Sequence, residues 1–333
     1  MLTCREKEKI FVTHDESTFN ANDGKRQMWV KDNAYPLWKK GRGKGIMVSE
    51  FMTPRGRLAV PPHIYAEDLP RRQATEFLEY GQDNWWTGAK MVEHVLNIAI
   101  PIFERAYPSC QAVFLFDNAS NHAAFAPDAL VVTDMNLGPG GKQPVMREGF
   151  IHSKQCPQLM VFPEDYSDPA LRGKPKGIKQ VLLERGLWRN GMRLDCKPKC
   201  QTQASASVDC CARQCLRSQQ DFQEQRGYLQ EVIEAKGHQV IFYPKFYCEL
   251  NFIKFFWGVA KRYARDNCEY SLQGLRKTIP YALEAIPEIT IWRFYQKCQR
   301  TMQAYRDGCQ YGTTEFKDRV YKSHRRTHVL NED

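Results

Sequence analysis

Two aspartates in this chain sit where a carboxylate needs a partner. Asp15 follows the apolar and β-branched run of IFVTHDES, and Asp117 follows the compact apolar run of QAVFLFDNASNH. A charge buried at the end of such a segment is costly unless a cation, a set of hydrogen-bond donors or a metal compensates it. Carboxylates gathered from distant segments suit hard divalent ions such as Mg2+, which prefer oxygen ligands. Two-metal nucleases hold a pair of such ions roughly 4 Å apart, one generating the attacking hydroxide and the other stabilising the leaving oxygen. For either aspartate alone, the plain alternative is a strand cap or an ordinary ion pair. A third segment, YPKFYCELNFIKFFWGVAKRY, carries Glu249 and then Lys254.

His14-Asp15-Glu16, Asp117-Asn118-Ala119 with His122, and Glu249-Leu250-Asn251 with Trp257 together resemble the three catalytic blocks of the DDE nucleases of the Tc1/mariner type. The resemblance is to transposon-derived DDE superfamily endonucleases of the kind multiplied in fungal genomes, and it covers residues 10–135 and 238–268. It implies a ribonuclease H-like transposase catalytic domain acting on DNA in the nucleus with Mg2+ or Mn2+. By it, Asp15 and Asp117 are the first two catalytic acids and metal ligands. In that family the third block reads close to P-D/E-L-N-P-I-E-x-x-W, and the acid after isoleucine is the third ligand. Here that position is Lys254, and Phe252 stands where many relatives have proline. An ammonium has three donors and no acceptor, so it cannot ligate a metal. The exchange moves the formal charge of the site from −3 to −1, weakens metal binding and lets Lys254 pair with Asp15 or Asp117 in the second metal's place. Glu249 is the candidate substitute, but five positions along a continuous helix turn a side chain about 140° away. The competing alignment leaves Lys254 a solvated helix residue.

The elements that must position these groups read as α/β. Residues 10–19 form a strand, Asn22-Asp23-Gly24 predicts a tight hairpin turn, and Gln27–Val30 predicts its return. The glycine-rich basic loop Lys39–Gly45 precedes a strand at Ile46–Thr53, and Leu58–Val60 predicts a short further strand. Ala89, Val92, Val95, Leu96, Ala99 and Phe103 recur at helical spacing over 87–106, with a kink expected at Pro101. Gln111–Phe116 reads as a buried strand. A helix over 221–236 leads to a strand at Val240–Tyr243, and Ile253, Phe256, Trp257 and Ala260 mark one face of the next helix. Ser271 and Thr290 are candidate caps for two more helices. The expected organisation is a split ribonuclease H-like core, 1–135 and 238–270, with a mixed central sheet and flanking helices. A loop-rich, cysteine-containing insertion spans 136–237, and a C-terminal helical extension spans 271–333.

Two further patterns carry chemistry. Lys39, Lys40, Arg42 and Lys44 in one loop, and Lys261, Arg262 and Arg265 beside Lys254, form basic patches suited to phosphates; the bland reading is a solvated face. Lys322-Ser323-His324-Arg325-Arg326 resembles a nuclear-import run, an unspecific pattern. Cys196 and Cys200, with Cys211 and Cys215, form two C-x-x-x-C pairs, and Cys210 is adjacent. Four thiolates can close a structural Zn2+ site, against the alternative of buried thiols.

The chain has 333 residues, 42% hydrophobic and 12% aromatic, enough for a packed core. Its 48 basic and 38 acidic residues give +10, compatible with a polyanionic partner. No apolar run approaches the roughly 20 residues of a membrane helix, and the N-terminus lacks a signal-peptide core. Twelve cysteines without such a signal suit a reducing compartment. The few residues before Ile10 leave no room for an upstream helix-turn-helix module. Three functions follow: a transposase-derived nuclease core impaired by Lys254, an active endonuclease using Glu249, or a non-enzymatic basic DNA- or chromatin-binding scaffold. The sequence leaves a homodimer open.

Overall fold

The structure, a computed structural model, describes residues 7–25, 40–81, 85–119, 122–196 and 209–322. The chain divides into two compact units, Met1–His122 with Leu229–Asp333, and Ala123–Tyr228. The first is built on a six-stranded mixed sheet. Strand β1 (Lys9–Asn20) lies at its centre, antiparallel to β2 (Gly45–Thr53) and parallel to β5 (Gln111–Phe116). β3 (Gly56–Arg57) and β4 (Glu76–Glu79) share the outer edge of β2, and β8 (Gln239–Phe242) extends the sheet parallel to β5. Three antiparallel strands followed by parallel strands reached through helices is the ribonuclease H-like arrangement. It follows from the pattern: β5 carries Ala112, Val113, Phe114 and Phe116 all buried, as expected of a parallel strand covered on both faces.

One face of the sheet is covered by α1 (Gly88–His94), a π-helical turn (Val95–Ala99) and α2 (Ile100–Ala106). Phe103 of α2 meets Phe114, and His94 of α1 meets Phe51. The other face is covered by α7 (Ile253–Asp266), α8 (Leu272–Glu284) and α9 (Glu288–Arg306), with α10 (Thr314–Lys322) against α9. Ile253, Phe256, Trp257 and Ala260 of α7 recur at helical spacing and bury against Phe19, Val48 and Met52 of the sheet. The N-terminus of α7 is tied to β1: the Thr13 hydroxyl donates to Asn251 Oδ1 at 2.8 Å, and Asn251 is buried. Ser271 caps α8 by accepting from Gly274 N–H.

The second unit contains the hairpin β6 (Gly149–Ile151) and β7 (Cys156–Gln158), α3 (Ile178–Arg185), α4 (Ala212–Arg217) and α5 (Gln220–Gln223); α6 (Tyr228–Ala235) begins at its boundary. Its small core joins Leu130, Val132 and Met135 to Val181, Leu182 and Leu216. A buried Arg185–Asp221 pair, doubly hydrogen-bonded at 2.8 and 2.6 Å, ties α3 to α5.

Several elements differ from the sequence-based expectations. The unit begins before residue 136, because Leu130 and Val132 belong to its core. The strand antiparallel to β1 is β2, and their pairing is continued by Ala21 N–H bonding Lys44 O and Asn22 N–H bonding Arg42 O; Gln27–Val30 lies outside the described residues. Pro101, which has no N–H, is accommodated by the π turn before it, where Ile100 N–H reaches Val95 O. The single helix expected over 221–236 is two, α5 and α6, separated by a segment containing Gly227. α9 starts at Glu288 with Pro287 as its cap residue, so Thr290 lies inside the helix.

Removing the anchor of α7 should be costly. Asn251→Ala removes the buried hydrogen bond from Thr13, leaving its hydroxyl only Tyr243 Oη at 3.2 Å, and we expect a loss of about 1 kcal/mol in urea unfolding. An unchanged midpoint would mean that apolar packing alone seats the helix.

Candidate functional site: a carboxylate pair bridged by a lysine

The parallel register of β1 with β5 runs from Lys9 opposite Gln111 to Thr13 opposite Leu115. Two residues further along each chain stand Asp15 and Asp117, so the pairing delivers both carboxylates to one end of the sheet. Asp15 projects to the face covered by α7, and its side chain is 4% exposed. Lys254, in the first turn of α7, reaches back to it with Nζ 2.6 Å from Asp15 Oδ1 and 3.6 Å from Asp117 Oδ2. A shallow cavity beside the pair is lined by Asp117, Asn118, Lys254 and the segment 243–248. On its rim Phe246 is 98% exposed and has φ 71°, a left-handed conformation uncommon for a bulky residue.

His14 and Glu16 project to the opposite face of β1. His14 Nε2 lies 2.8 Å from Ser49 Oγ, which is 3.2 Å from His94 Nδ1, and His94 Nε2 donates to Ala74 O at 2.8 Å. His122, buried after β5, has Nδ1 2.9 Å from Asp117 Oδ1 and Nε2 3.4 Å from Glu16 Oε1. Trp86 Nε1–H donates to the same Glu16 oxygen at 2.7 Å. Glu16, His122, Asp117, Lys254 and Asp15 thus form a chain of charges that alternate in sign.

The electrostatics follow from this chain. Burial pushes Asp15 up to about 6, with Lys254 working against it. The His122 hydrogen bond is the main influence holding Asp117 down at about 2. For His122 burial opposes protonation, but bonds to Asp117 and Glu16 outweigh it and raise the imidazole to about 10. Glu16, which burial would raise, is brought to about 2 by His14, His122 and Trp86. His14, enclosed by aromatic rings, is driven down by burial to about 3. Burial opposes the Lys254 charge too, but Asp15 and Asp117 hold the ammonium protonated above its ordinary range. The donor set as it stands, two carboxylates already bridged by an ammonium, does not fit a pair of divalent ions.

Glu249 is placed elsewhere. It lies in a 3-10 turn, Cys248–Leu250, and its carboxylate accepts from the Tyr305 hydroxyl of α9. It does not line the cavity beside Asp117. The reason is the turn itself, which ends before α7 begins and directs Glu249 toward α9. Lys40, Arg42 and Lys44 are exposed, and Lys39 lies outside the described residues. Arg262 is exposed, but Arg265 pairs with Asp23 at 3.0 Å and Lys261 sits over the Phe19 ring, so this side of α7 partly spends its charge on β1 and its turn. Residues 323–326 of the basic terminal run lie outside the described residues.

The cysteines group differently from their spacing. Cys196, Cys210 and Cys211 bring their sulfurs within 4.8 Å of one another. Cys215, expected as a ligand, is buried with Ala212 and Leu216 in the apolar core and is not of that group; one helical turn beyond Cys211 it faces inward. Cys200 lies outside the described residues. Hydrogen bonding with Cys210 chiefly, then burial and Cys211, pushes the Cys196 thiol up to about 12.

Sequence reasoning did not find Ser49, Trp86 or His94 as parts of the network, nor Glu50. Glu50 stands opposite Asp15 in the β1–β2 register and is fully buried, with Arg57 Nε 2.9 Å from its Oε2. Cross-strand pairing was the available signal, since partners share a face.

No protein-family model and no curated protein matches the chain. Among solved structures it is similar to the Mos1 mariner paired end complex with Mn, at TM-score 0.44 and 12% identity over 91% of this chain and 56% of that one. A pre-cleavage Mos1 transpososome gives 0.44 and 13% over 91% and 57%, and the Mos1 strand transfer complex gives 0.42 and 11% over 91% and 56%. The chain spans just over half the length of these chains. Among the described residues, no helix is long and apolar enough to cross a membrane.

The raised His122 predicts a pH signature. A proton held to about 10 in the folded state, against 6.5 ordinarily, contributes stability that is fully present below pH 6.5 and lost as pH rises through 10. His122→Gln should therefore be destabilised by a few kcal/mol at pH 6, with the deficit shrinking toward pH 10. A deficit independent of pH in thermal melts would refute the bridging imidazolium.

Proposed function

We propose that this chain is a transposase-like DDE core whose third acid is replaced by Lys254 and whose metal-dependent DNA strand cleavage is consequently impaired. The observation that carries the reading is the position of Lys254 Nζ, 2.6 Å from Asp15 and 3.6 Å from Asp117. In this reading Asp15 and Asp117 are the remaining catalytic acids, and Mg2+ or Mn2+ is the family cofactor that Lys254 disfavours. A dication entering there would have to displace an ammonium from a buried carboxylate, and two acids offer it less compensation than three. The arrangement supports this reading over one with Glu249 as substitute acid, because Glu249 is bonded to Tyr305.

DNA is the proposed partner and the nucleus the proposed location. The exposed cations Lys40, Arg42, Lys44 and Arg262 suit phosphate contacts. Phe246, exposed at the rim of the cavity, suits stacking on an unpaired base. A non-enzymatic DNA-binding role is the same reading with its catalysis reduced to nothing.

The test is nicking of supercoiled plasmid with Mn2+ or Mg2+, alongside calorimetric Mn2+ titration and thermal melts. Wild type should neither cut nor gain stability from Mn2+. Lys254→Glu should melt lower without metal, recover with Mn2+ and nick DNA, and Asp117→Ala should abolish that nicking. Metal-dependent cutting by wild type that Asp117→Ala removes would overturn the impairment. Lys254→Glu that folds yet shows no Mn2+ affinity would overturn the site.

A further inference from the structure

We propose that Cys196, Cys210 and Cys211 bind a single zinc ion that fastens the cysteine-bearing part of the second unit. The inference rests on that unit alone and is independent of the Asp15–Asp117 site.

The three sulfurs come together because the surrounding backbone brings them there. Ala212 N–H donates to Arg193 O at 2.9 Å, and Arg213 N–H donates to Leu194 O at 3.2 Å. Arg213 also pairs with Asp195 at 3.2 Å, and Arg189 with Asp209 at 3.1 Å. These contacts hold residues 193–195 against 209–213 without help from any sulfur. Cys196 on one segment therefore faces Cys210 and Cys211 on the other, and none of the three is in a disulfide.

Thiols placed so can offer one another only weak hydrogen bonds. Zinc offers far more. With Zn–S bonds of about 2.3 Å, sulfurs of a tetrahedral site stand about 3.8 Å apart, so a set already within 4.8 Å needs only small side-chain rotations. Binding converts each thiol to a thiolate and releases its proton to solvent. Three thiolates about Zn2+ leave a single net negative charge, beside Arg189 and Arg193, which line the same depression as Cys196 and Cys210. The fourth position opens on that depression, where water can fill it. Harder ions such as Mg2+ do not suit sulfur. A bound ion adds a further link between residues 193–196 and 209–213.

The experiment uses the untagged full chain purified under reductant. Zinc content is measured by inductively coupled plasma mass spectrometry, and Co2+ is substituted for its sulfur charge-transfer absorption. One zinc per chain is expected, kept in Asp117→Asn and Cys248→Ser and lost in Cys196→Ser and Cys211→Ser. Should a variant not fold, wild type alone decides: zinc should shield Cys196 and Cys210 from maleimide, and a chelator should expose both together. Wild type without zinc or cobalt–thiolate absorption, zinc retained in Cys196→Ser, or a Cys196 disulfide with Cys210 or Cys211 in place of metal would overturn the proposal. Loss of zinc in Asp117→Asn would place the ion at the other site and overturn it as well.

Discussion

Parallel pairing of β1 with β5 forces two carboxylates to the same end of the sheet, and the centre of the first unit depends on neutralising them. Asp15 is almost entirely buried, so its charge is compensated or it is not there. The compensation is built from side chains. Lys254 bridges the two acids from the α7 face, and His122 reaches Asp117 from the other, continuing to Glu16. Each charge in this chain has an opposite neighbour, which is why Glu16 and Asp117 hold their protons so weakly while His122 holds its proton so strongly.

Lys254 does not choose its position by its own electrostatics. Ile253 and Phe256, flanking it in the first turn of α7, are fully buried, and each contributes roughly 2 kcal/mol by leaving water. Asn251 adds a buried hydrogen bond to β1. A part-exposed ion pair contributes less than this set. The helix is seated by its apolar face, and residue 254 is delivered to Asp15 whatever its chemistry. The scaffold fixes the geometry, and the side chain at position 254 decides only the sign of the charge presented there.

The legible parts of the sequence were those in which a local pattern and a tertiary role coincide. The apolar, mostly buried run of β5, the helical stripe of α7 and the Ser271 cap each announce an element from a few neighbouring residues. Asp15, Asp117 and Lys254 could be aligned because each stands at a fixed offset from such an element, and the structure brings the three side chains together. What spacing could not give was side-chain direction after an irregular turn. Glu249 points to Tyr305 because a 3-10 turn intervenes before α7. Cys215 faces the apolar core because it begins a new turn of α4, while Cys210, outside the helix, joins Cys196 and Cys211. The His14–Ser49–His94 relay was illegible for another reason: it links three elements through register, and no segment by itself contains the signal.

The sign of residue 254 also determines what the folded state is linked to. With three acids at this corner, folding would concentrate negative charge that only bound cations relieve, so stability would rise with free metal as the logarithm of its concentration over its dissociation constant. With lysine, the relief is covalently attached and arrives with α7. On the proposed reading the charge balance comes from the chain itself, and the same ammonium occupies the carboxylate oxygens that a metal would use. On that reading, stability without metal and reduced affinity for metal are one effect at one nitrogen atom.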